Sequence, residues 1–185
     1  MGKFLIAGGT PLKGEICVSG AKNSALPIIA AALMADSPSR LLDIPVLRDV
    51  QNLCEIIRRM GCKVEENGNQ IIIDPSGIEK PEADHDLARK LRGSYYLLGV
   101  LLGKKGWARS SLPGGCNIGN RPIDLHLKGF KALGAEVKID HGIVEVRAEK
   151  LTGNRIYLDY PSVGATINIM LSAVLAEGTT IIENA

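Results

Sequence analysis

Aromatic residues are scarce in this sequence, and charge of one sign is not concentrated anywhere along it. Phe, Trp and Tyr make up 4% of the 185 residues, too few to predict the stacking surface that binds nucleic-acid bases. The 22 Lys and Arg residues are nearly balanced by 20 Asp and Glu, which leaves a net charge of +2. Because the basic residues are interspersed with acidic ones, we expect no nucleic-acid partner.

Long apolar runs and metal-binding patterns are also missing. The longest apolar stretches, 25–35 and 95–102, are much shorter than a membrane span, and 1–9 is too short for the core of a signal peptide. We therefore predict no membrane partner, a cytoplasmic location and reduced thiols. The four cysteines form no Cys-x-x-Cys pair and have no histidine cluster nearby, so we expect no metal.

What the sequence does contain is a unit of about 70 residues that recurs. Three apolar stretches typical of buried helices start at Ser24, Ser94 and Ala165, and a short strand segment follows each. In the first two copies a second, amphipathic helix comes next. It ends at Gly61 in one copy and at Gly134 in the other, as helices with glycine caps do.

A pair of strands around a tight turn follows each of those two glycines. Strands are predicted at 62–66, 70–74, 136–139 and 143–147, with Asn67-Gly68 and His141-Gly142 at the turns. The unit is therefore helix, strand, helix, hairpin. The third copy stops after its first helix and strand, which predicts a fragment or a truncated gene. The alternative is a chance similarity between generic α/β segments.

Charged or small residues stand at the start of each of the three apolar helices. A helix N-terminus offers free N–H groups and a partial positive charge, so anions bind there readily. Lys22 and Arg92 add full charges two residues before the first two helices, and Ser162-Val163-Gly164 offers free backbone donors at the third. Three such sites would suit a substrate with several phosphates. Lys22 and Arg92 are equally well interpreted as solvated surface charges.

A loop with three glycines separates the strand of the second unit from its second helix. It runs from Pro113 to Pro122 and contains Cys116, with Arg121 five residues further on. Such a loop is mobile and would suit a lid over a site. A nearby cation lowers the pKa of a thiol and favours the reactive thiolate. We therefore predict a reactive Cys116, and we interpret the other three cysteines, Cys17, Cys54 and Cys62, as inert core residues.

Four short motifs carry a resemblance to a known family. They are Gly20 to Pro27, Leu112 to Cys116, Arg121 to His126, and Ser162 to Thr166. In this order they resemble the motifs of the UDP-N-acetylglucosamine 1-carboxyvinyltransferases, and the likeness extends from Phe4 to the end of the chain. It implies an α/β fold, in which the repeated units build an inside-out α/β barrel domain. Members of this family have two such domains, each with threefold pseudo-symmetry.

The resemblance also implies a division of this chain. Residues 1–20 would be a strand segment that belongs with the second domain. Residues 21–185 would be an enolpyruvyl-transferase domain made of units 21–91 and 92–155 and an incomplete unit 156–185. An exposed face between the domains would then allow self-association.

The activity implied is transfer of the enolpyruvyl group of phosphoenolpyruvate to the 3-hydroxyl of UDP-N-acetylglucosamine, with release of phosphate. This is the first committed step of peptidoglycan synthesis and needs no cofactor. Cys116 would be the general acid, and Lys22, Asn23 and Arg121 would bind phosphoenolpyruvate. The residues that would bind the sugar nucleotide are Arg92, Arg121, Pro122, Ile123, Asp124, Leu125, Ser162, Val163 and Gly164.

Two features limit what the resemblance implies. The aspartate that is the general base of the family lies in its second domain, so we expect this chain alone to be inactive. Gly93 stands where many members have alanine, and Tyr160 where some have lysine.

Two alternatives remain open. One is a non-catalytic protein that binds the sugar nucleotide. The other is the related enzyme that acts on shikimate 3-phosphate, which typically has Gly-Ser-Lys-Ser near its first helix. This sequence has Gly20-Ala21-Lys22-Asn23 there, which favours the sugar nucleotide.

Overall fold

The computed structural model describes residues 2–112 and 123–185. Cys116, Arg121 and Pro122 therefore lie outside the described residues. Residues 2–19 form no helix or strand, and their side chains are exposed. Cys17 lies in this segment and is exposed, so its interpretation as a core residue is wrong. The apolar side chains on either side of it, Ile16 and Val18, are 88% and 93% exposed, so this segment is not part of the core.

Helices and strands alternate through the rest of the chain. The helices are α1 (Lys22–Ala32), α2 (Arg48–Arg59), α3 (His85–Lys90), α4 (Tyr96–Lys105), α5 (Asp124–Ala132) and α6 (Val163–Ala173). The strands are β1 (Ser39–Leu41), β2 (Lys63–Asn67), β3 (Gln70–Asp74), β4 (Trp107–Ser111), β5 (Glu136–Asp140), β6 (Ile143–Arg147), β7 (Arg155–Tyr157) and β8 (Ile181–Glu183). A 3₁₀ turn, Arg92–Tyr95, leads directly into α4.

The first two units build the same sheet. In one the strand order is β1-β3-β2 and in the other β4-β6-β5, and every pairing is antiparallel. A chance similarity of sequence would not reproduce both the order and the direction of the strands, so the predicted repeat is confirmed for these two units. In the last part of the chain, β7 comes before α6 in the sequence and β8 comes after it, and the two strands pair in parallel.

Glycine ends the amphipathic helix of each unit, as predicted. Gly61 and Gly134 have φ values of 104° and 98°, which a residue with a Cβ rarely adopts. The second hairpin also turns at His141-Gly142, where φ is 45° and 77°. The first hairpin differs from the prediction by one residue. Asn67 pairs with Gln70 and extends β2, so the turn is Gly68-Asn69.

Two of the three apolar helices, α1 and α6, begin earlier than their apolar pattern indicates, whereas α4 begins at Tyr96, two residues after the predicted start at Ser94. Lys22 and Val163 are the first residues of α1 and α6, and Arg92 opens the 3₁₀ turn before α4. The placement of these residues two positions before each helix is therefore wrong. The first residues of α1 and α6 are exposed and need not be apolar, so their apolar pattern starts late. The 3₁₀ turn before α4 is mostly buried, so the apolar pattern there includes residues that precede the helix.

Close packing of α4 on α6 positions the site described below. The helix α4 also packs against α1, and most of its side chains are buried. A Cβ on Gly99 would lie 2.3 Å from Asn168 Oδ1 and 2.4 Å from the Asn168 carbonyl oxygen, so only glycine fits. One turn further along both helices, Gly103 faces Ser172. The two helices therefore run in the same direction, with their N-termini side by side.

Neither a membrane-spanning helix nor a metal-binding cluster occurs in the described residues. No helix there is long and apolar enough to cross a membrane. In the same part of the chain, no three His, Cys, Asp or Glu side chains are grouped so that they could hold a metal ion.

Candidate functional site

Three helix starts meet at one end of the α4–α6 pair. A Cβ on Gly164, in the first turn of α6, would lie 2.8 Å from the Tyr95 hydroxyl and 3.4 Å from Cε1 of His126. Tyr95 closes the 3₁₀ turn before α4, and His126 lies in the first turn of α5. The starts of α4, α5 and α6 are therefore adjacent, and the predicted residues Arg92, Asp124 and Ser162 to Gly164 come together.

The start of α6 offers backbone donors. Ser162 is the N-cap, and its hydroxyl accepts a hydrogen bond from the Ala165 N–H at 3.3 Å. In residues 2–112 and 123–185, no group accepts from the N–H of Val163 or of Gly164. Two N–H groups and the positive end of the helix dipole are thus available to an anion. The Ser162 side chain is already used as a cap, so its contribution to this site is mainly to hold the backbone.

Arg92 places a positive charge beside these donors. Its side chain is half-buried, and its Cζ lies 5.9 Å from the centroid of the Tyr95 ring. No carboxylate of the described chain forms a salt bridge with it. A guanidinium that packs on an aromatic ring and lacks a carboxylate partner is well suited to bind a phosphate.

The start of α5 exposes one side chain and buries its neighbours. Asp124 is exposed at the first position of α5, where the helix dipole stabilises a carboxylate, and its Oδ1 lies 3.5 Å from the Tyr160 hydroxyl. Ile123 and Leu125 are 5% and 3% exposed, because both side chains belong to the core. A ligand can therefore reach these two residues only through their backbone.

Lys22 and Asn23 lie at the start of α1. Lys22 Nζ is 3.0 Å from Asp49 Oδ2, at the start of α2, and both side chains are more than a third exposed. An exposed ion pair of this kind contributes roughly 0–1 kcal/mol, so a ligand anion can replace Asp49 at little cost. Asn23 is exposed, and its side chain makes no hydrogen bond within the described residues.

The α1 start approaches the other three through Leu26, one turn into the helix. A Cβ on Gly93 would lie 2.9 Å from Leu26 Cδ1, so alanine at this position would require the Leu26 side chain to shift. Gly93 thus allows the two helix starts to approach each other closely in this chain.

A buried asparagine joins the three adjacent helix starts, and the sequence reasoning missed it. Asn168 in α6 is 0% exposed. Its Nδ2 donates to the Tyr95 carbonyl at 2.9 Å and to His126 Nδ1 at 3.1 Å, and its Oδ1 accepts from the Gly99 N–H at 3.1 Å. The signal available in the sequence was a polar residue between Ile167 and Ile169, in a helix that is mostly apolar.

His126 was also missed as a site residue, although it ends one of the four motifs. Burial, and second the positive charge of Arg92, lower its pKa from 6.5 to about 4, while Asp124 acts in the opposite direction. The imidazole is therefore neutral near pH 7. Because Nδ1 accepts from Asn168, its proton is on Nε2.

Two of the four cysteines are buried as predicted. Burial raises the pKa of Cys54 to about 12 and that of Cys62 to about 11, so neither is a thiolate at neutral pH. The prediction that Cys116 is the reactive thiol concerns a residue outside the described part of the chain and stays a prediction.

A cleft of about 830 Å³ lies at the opposite end of α4 from these helix starts. It is lined by Lys104, Lys105, Arg147 and Lys150 together with apolar and acidic residues. The carbonyl end of α4, Glu149 and Glu177 offset part of this positive charge. Its size alone does not make it the better candidate.

The chain is similar to proteins of one kind along nearly all of its length. It is 74% identical over 185 residues to the UDP-N-acetylglucosamine 1-carboxyvinyltransferase of Halothermothrix orenii, and it spans 45% of that protein. It is 55% identical over 184 residues to UDP-N-acetylglucosamine 1-carboxyvinyltransferase 3 of Caldanaerobacter subterraneus subsp. tengcongensis, of which it spans 44%. The chain thus covers less than half the length of these curated relatives.

Solved structures show the same fold. The enolpyruvyl transferase NikO from Streptomyces tendae matches 95% of this chain and 42% of its own length, with a TM-score of 0.78 and 28% identity. The EPSP synthase of Acinetobacter baumannii matches 91% of this chain and 40% of its own length, with a TM-score of 0.74 and 20% identity, which shows the fold alone. The predicted α/β enolpyruvyl-transferase fold is confirmed.

A family model also matches the chain, in agreement with the similar sequences, the solved structures and the four motifs. The model is described as EPSP synthase (3-phosphoshikimate 1-carboxyvinyltransferase), and it matches residues 6–185. Because this match covers almost the whole chain, the chain belongs to that family of enolpyruvyl transferases.

Proposed function

We propose that this chain provides the sugar-nucleotide part of an enolpyruvyl transferase site that uses UDP-N-acetylglucosamine and phosphoenolpyruvate. One observation carries the proposal: the starts of α4, α5 and α6 are adjacent, with free N–H groups beside Arg92. The names of the relatives favour the same substrate. The arrangement suits a diphosphate, because two phosphates need several donors and positive charge within a few ångströms.

Each predicted residue has a role in this proposal. Arg92, Val163 and Gly164 bind the diphosphate, and Ser162 holds the backbone for it. Asp124 and the backbone of Ile123 and Leu125 bind the uridine end, together with Arg121 and Pro122. Lys22, Asn23 and Arg121 bind phosphoenolpyruvate, and Cys116 is the general acid.

The chemistry is an addition followed by an elimination. The 3-hydroxyl of the sugar attacks the central carbon of phosphoenolpyruvate, loses its proton to a base, and the methylene carbon gains a proton from Cys116. A proton then leaves the new methyl group as the C–O bond to phosphate breaks, which forms the enol ether and inorganic phosphate. Lys22 stabilises the charge of the phosphate and carboxylate through both steps.

In the same proposal, the reaction serves peptidoglycan synthesis and takes place in the cytoplasm. The chain can self-associate, and by itself it is inactive. The chain amounts to 45% of the Halothermothrix orenii relative, and the general base is expected in the other part of such a protein. A non-catalytic nucleotide-binding protein remains the alternative if no second half completes the site.

A chimera tests the proposed function. This chain would replace the matching 45% of the Halothermothrix orenii relative, and phosphate release from phosphoenolpyruvate would be measured with two acceptors. We expect release with UDP-N-acetylglucosamine and none with shikimate 3-phosphate. In the same chimera, Lys22→Gln should raise KM for phosphoenolpyruvate by at least tenfold and change KM for the nucleotide much less.

Two results would count against the proposal. Release with shikimate 3-phosphate would identify the other acceptor. A folded chimera that binds the nucleotide but releases no phosphate would favour the non-catalytic alternative.

A further inference from the structure

His126 is a buried histidine whose two ring nitrogens have different surroundings. The residue is 4% exposed, and its ring packs edge-on against Tyr95 with the centroids 4.7 Å apart. Nδ1 lies 3.1 Å from Nδ2 of Asn168. The orientation of Asn168 is set by its other bonds, because Oδ1 accepts from the Gly99 N–H and Nδ2 donates to the Tyr95 carbonyl. Nδ1 is therefore an acceptor.

The other nitrogen, Nε2, carries the proton and points towards the start of α6. It lies 3.6 Å from the position that a Cβ on Gly164 would occupy. Within residues 2–112 and 123–185, no hydrogen bond of Nε2 is present. An anion bound at the start of α6 would give this donor an acceptor.

We propose that His126 donates a hydrogen bond from Nε2 to an oxygen of the anion bound at the start of α6, and that Asn168 is the positioning residue that keeps the proton on Nε2. This inference rests on the proposed function, in which that anion is the diphosphate of the sugar nucleotide. A phosphate of phosphoenolpyruvate has the same chemistry, so the experiment separates the two sources.

The electrostatics of the site agree with a neutral donor. Burial and the charge of Arg92 both disfavour an imidazolium, and Asp124 is the one opposing carboxylate identified for this ring. Tyr95, the remaining titratable group against the ring, packs edge-on against it. A neutral N–H adds a directed hydrogen bond next to Arg92 without a second positive charge there, and so contributes specificity for the geometry of the ligand.

Nuclear magnetic resonance of the ¹⁵N-histidine-labelled chain tests this directly, because long-range ¹H–¹⁵N correlations distinguish the two neutral tautomers. At pH 7 we expect His126 to show the tautomer protonated at Nε2. UDP-N-acetylglucosamine should shift its Nε2 resonance by several parts per million, whereas uridine and phosphoenolpyruvate should not. A proton on Nδ1, or a shift with phosphoenolpyruvate in place of the nucleotide, would overturn the inference.

Substitutions test the role of each residue by calorimetric titration with UDP-N-acetylglucosamine. His126→Phe keeps a ring but loses the donor, and should weaken binding about 10- to 100-fold, since the acceptor is charged. His126→Gln keeps an N–H near the position of Nε2 and should restore most of the affinity. The matched control is His141→Asn at the exposed hairpin turn, which should bind like the wild type.

Asn168→Asp tests whether Asn168 sets the tautomer of His126, separately from its effect on nucleotide binding. It replaces the donor to Nδ1 by an acceptor, so Nδ1 should gain a proton, which the same correlations detect. A purely structural role of Asn168 would leave the tautomer unchanged.

Failure of the inference is distinguishable from failure of the proposed function. If the wild-type chain binds the nucleotide and folded His126→Phe binds it equally well, the inference is wrong and the proposed function stands. If the wild-type chain binds no nucleotide, both are wrong. The measurement of the tautomer needs no substitution, so it remains decisive if a variant does not fold.

Discussion

At the scale of single residues, the surroundings of each side chain decide its chemistry more than its type does. Three cysteines of the described chain illustrate this, because Cys54 and Cys62 are buried with raised pKa values while Cys17 is exposed. The apolar neighbours in the sequence indicated the burial of Cys54 correctly. They could not indicate the exposure of Cys17, which depends on whether anything packs on the segment that carries it.

His126 should make the stability of the chain depend on pH. In the folded chain burial lowers its pKa from 6.5 to about 4, so between these values the unfolded chain binds a proton that the folded chain does not. The free energy of unfolding should therefore fall as the pH is lowered from 6.5 to 4, by up to about 3 kcal/mol from this group.

Denaturant unfolding between pH 4 and 8 measures this effect. The dependence should be smaller in His126→Phe and unchanged in His141→Asn, which replaces an exposed histidine. An equal dependence in all three proteins would show that His126 is not buried in its neutral form.

The four thiols should react at different rates. At pH 8 we expect iodoacetamide to modify Cys116 first and Cys17 more slowly, and to leave Cys54 and Cys62 unmodified until the chain unfolds, because burial keeps them as thiols. Peptide mass spectrometry after timed quenching gives the rates. Modification of Cys116 no faster than Cys17 would contradict its assignment as the reactive thiol, and Cys116→Ser would verify the peptide.

At the scale of helices and strands, local sequence patterns predicted well which segments form an element and whether it is a helix or a strand. The apolar helices, the glycine caps at Gly61 and Gly134, and the turn at His141-Gly142 all follow from periodicity and from the backbone freedom of glycine. The starts of α1 and α6 were placed too late, because their exposed first residues carry no apolar pattern, and the start of α4 was placed too early, because a buried 3₁₀ turn precedes it. The short helix α3 and strand β7 were not predicted, since three to six residues carry too little periodicity to recognise.

Some residues of the candidate site could be predicted from the sequence, but the buried pair His126 and Asn168 and the assembly of the site could not. The charges at Lys22 and Arg92 and the small residues at Ser162 to Gly164 are visible in the sequence. That α4, α5 and α6 begin side by side depends on the fit of Gly99 against Asn168, which links positions 69 residues apart. No local pattern contains that information.

Two glycines of α4 should respond differently to alanine. Gly99→Ala would place a methyl group 2.3–2.4 Å from atoms of Asn168, so we expect a loss of about 1–3 kcal/mol or failure to fold. At Gly103 the nearest atom is 3.3 Å away, and alanine favours a helix by about 1 kcal/mol over glycine, so the net effect should be small. Thermal and denaturant unfolding compare the two, and a larger loss from Gly103→Ala would contradict the packing of α4 on α6.

At the scale of the whole molecule, two units of the same topology support one site. Each unit contributes a helix start, and the direct packing of α4 on α6 joins the second unit to the last part of the chain. Lys22 lies at the start of the first unit, apart from the three adjacent starts but linked to them through Leu26 and Gly93. This division agrees with one place for phosphoenolpyruvate and a neighbouring place for the sugar nucleotide.

Calorimetric titration of this chain with UDP-N-acetylglucosamine tests the claim that the adjacent helix starts bind the diphosphate of the sugar nucleotide. We predict saturable binding at one site, about 10- to 100-fold weaker binding in Arg92→Gln, and no binding of shikimate 3-phosphate. The matched control is Arg40→Gln, which removes an exposed arginine that bonds to Gln70 in the first sheet and should leave binding unchanged. An absence of nucleotide binding, or an affinity that Arg92→Gln does not alter, would contradict the claim.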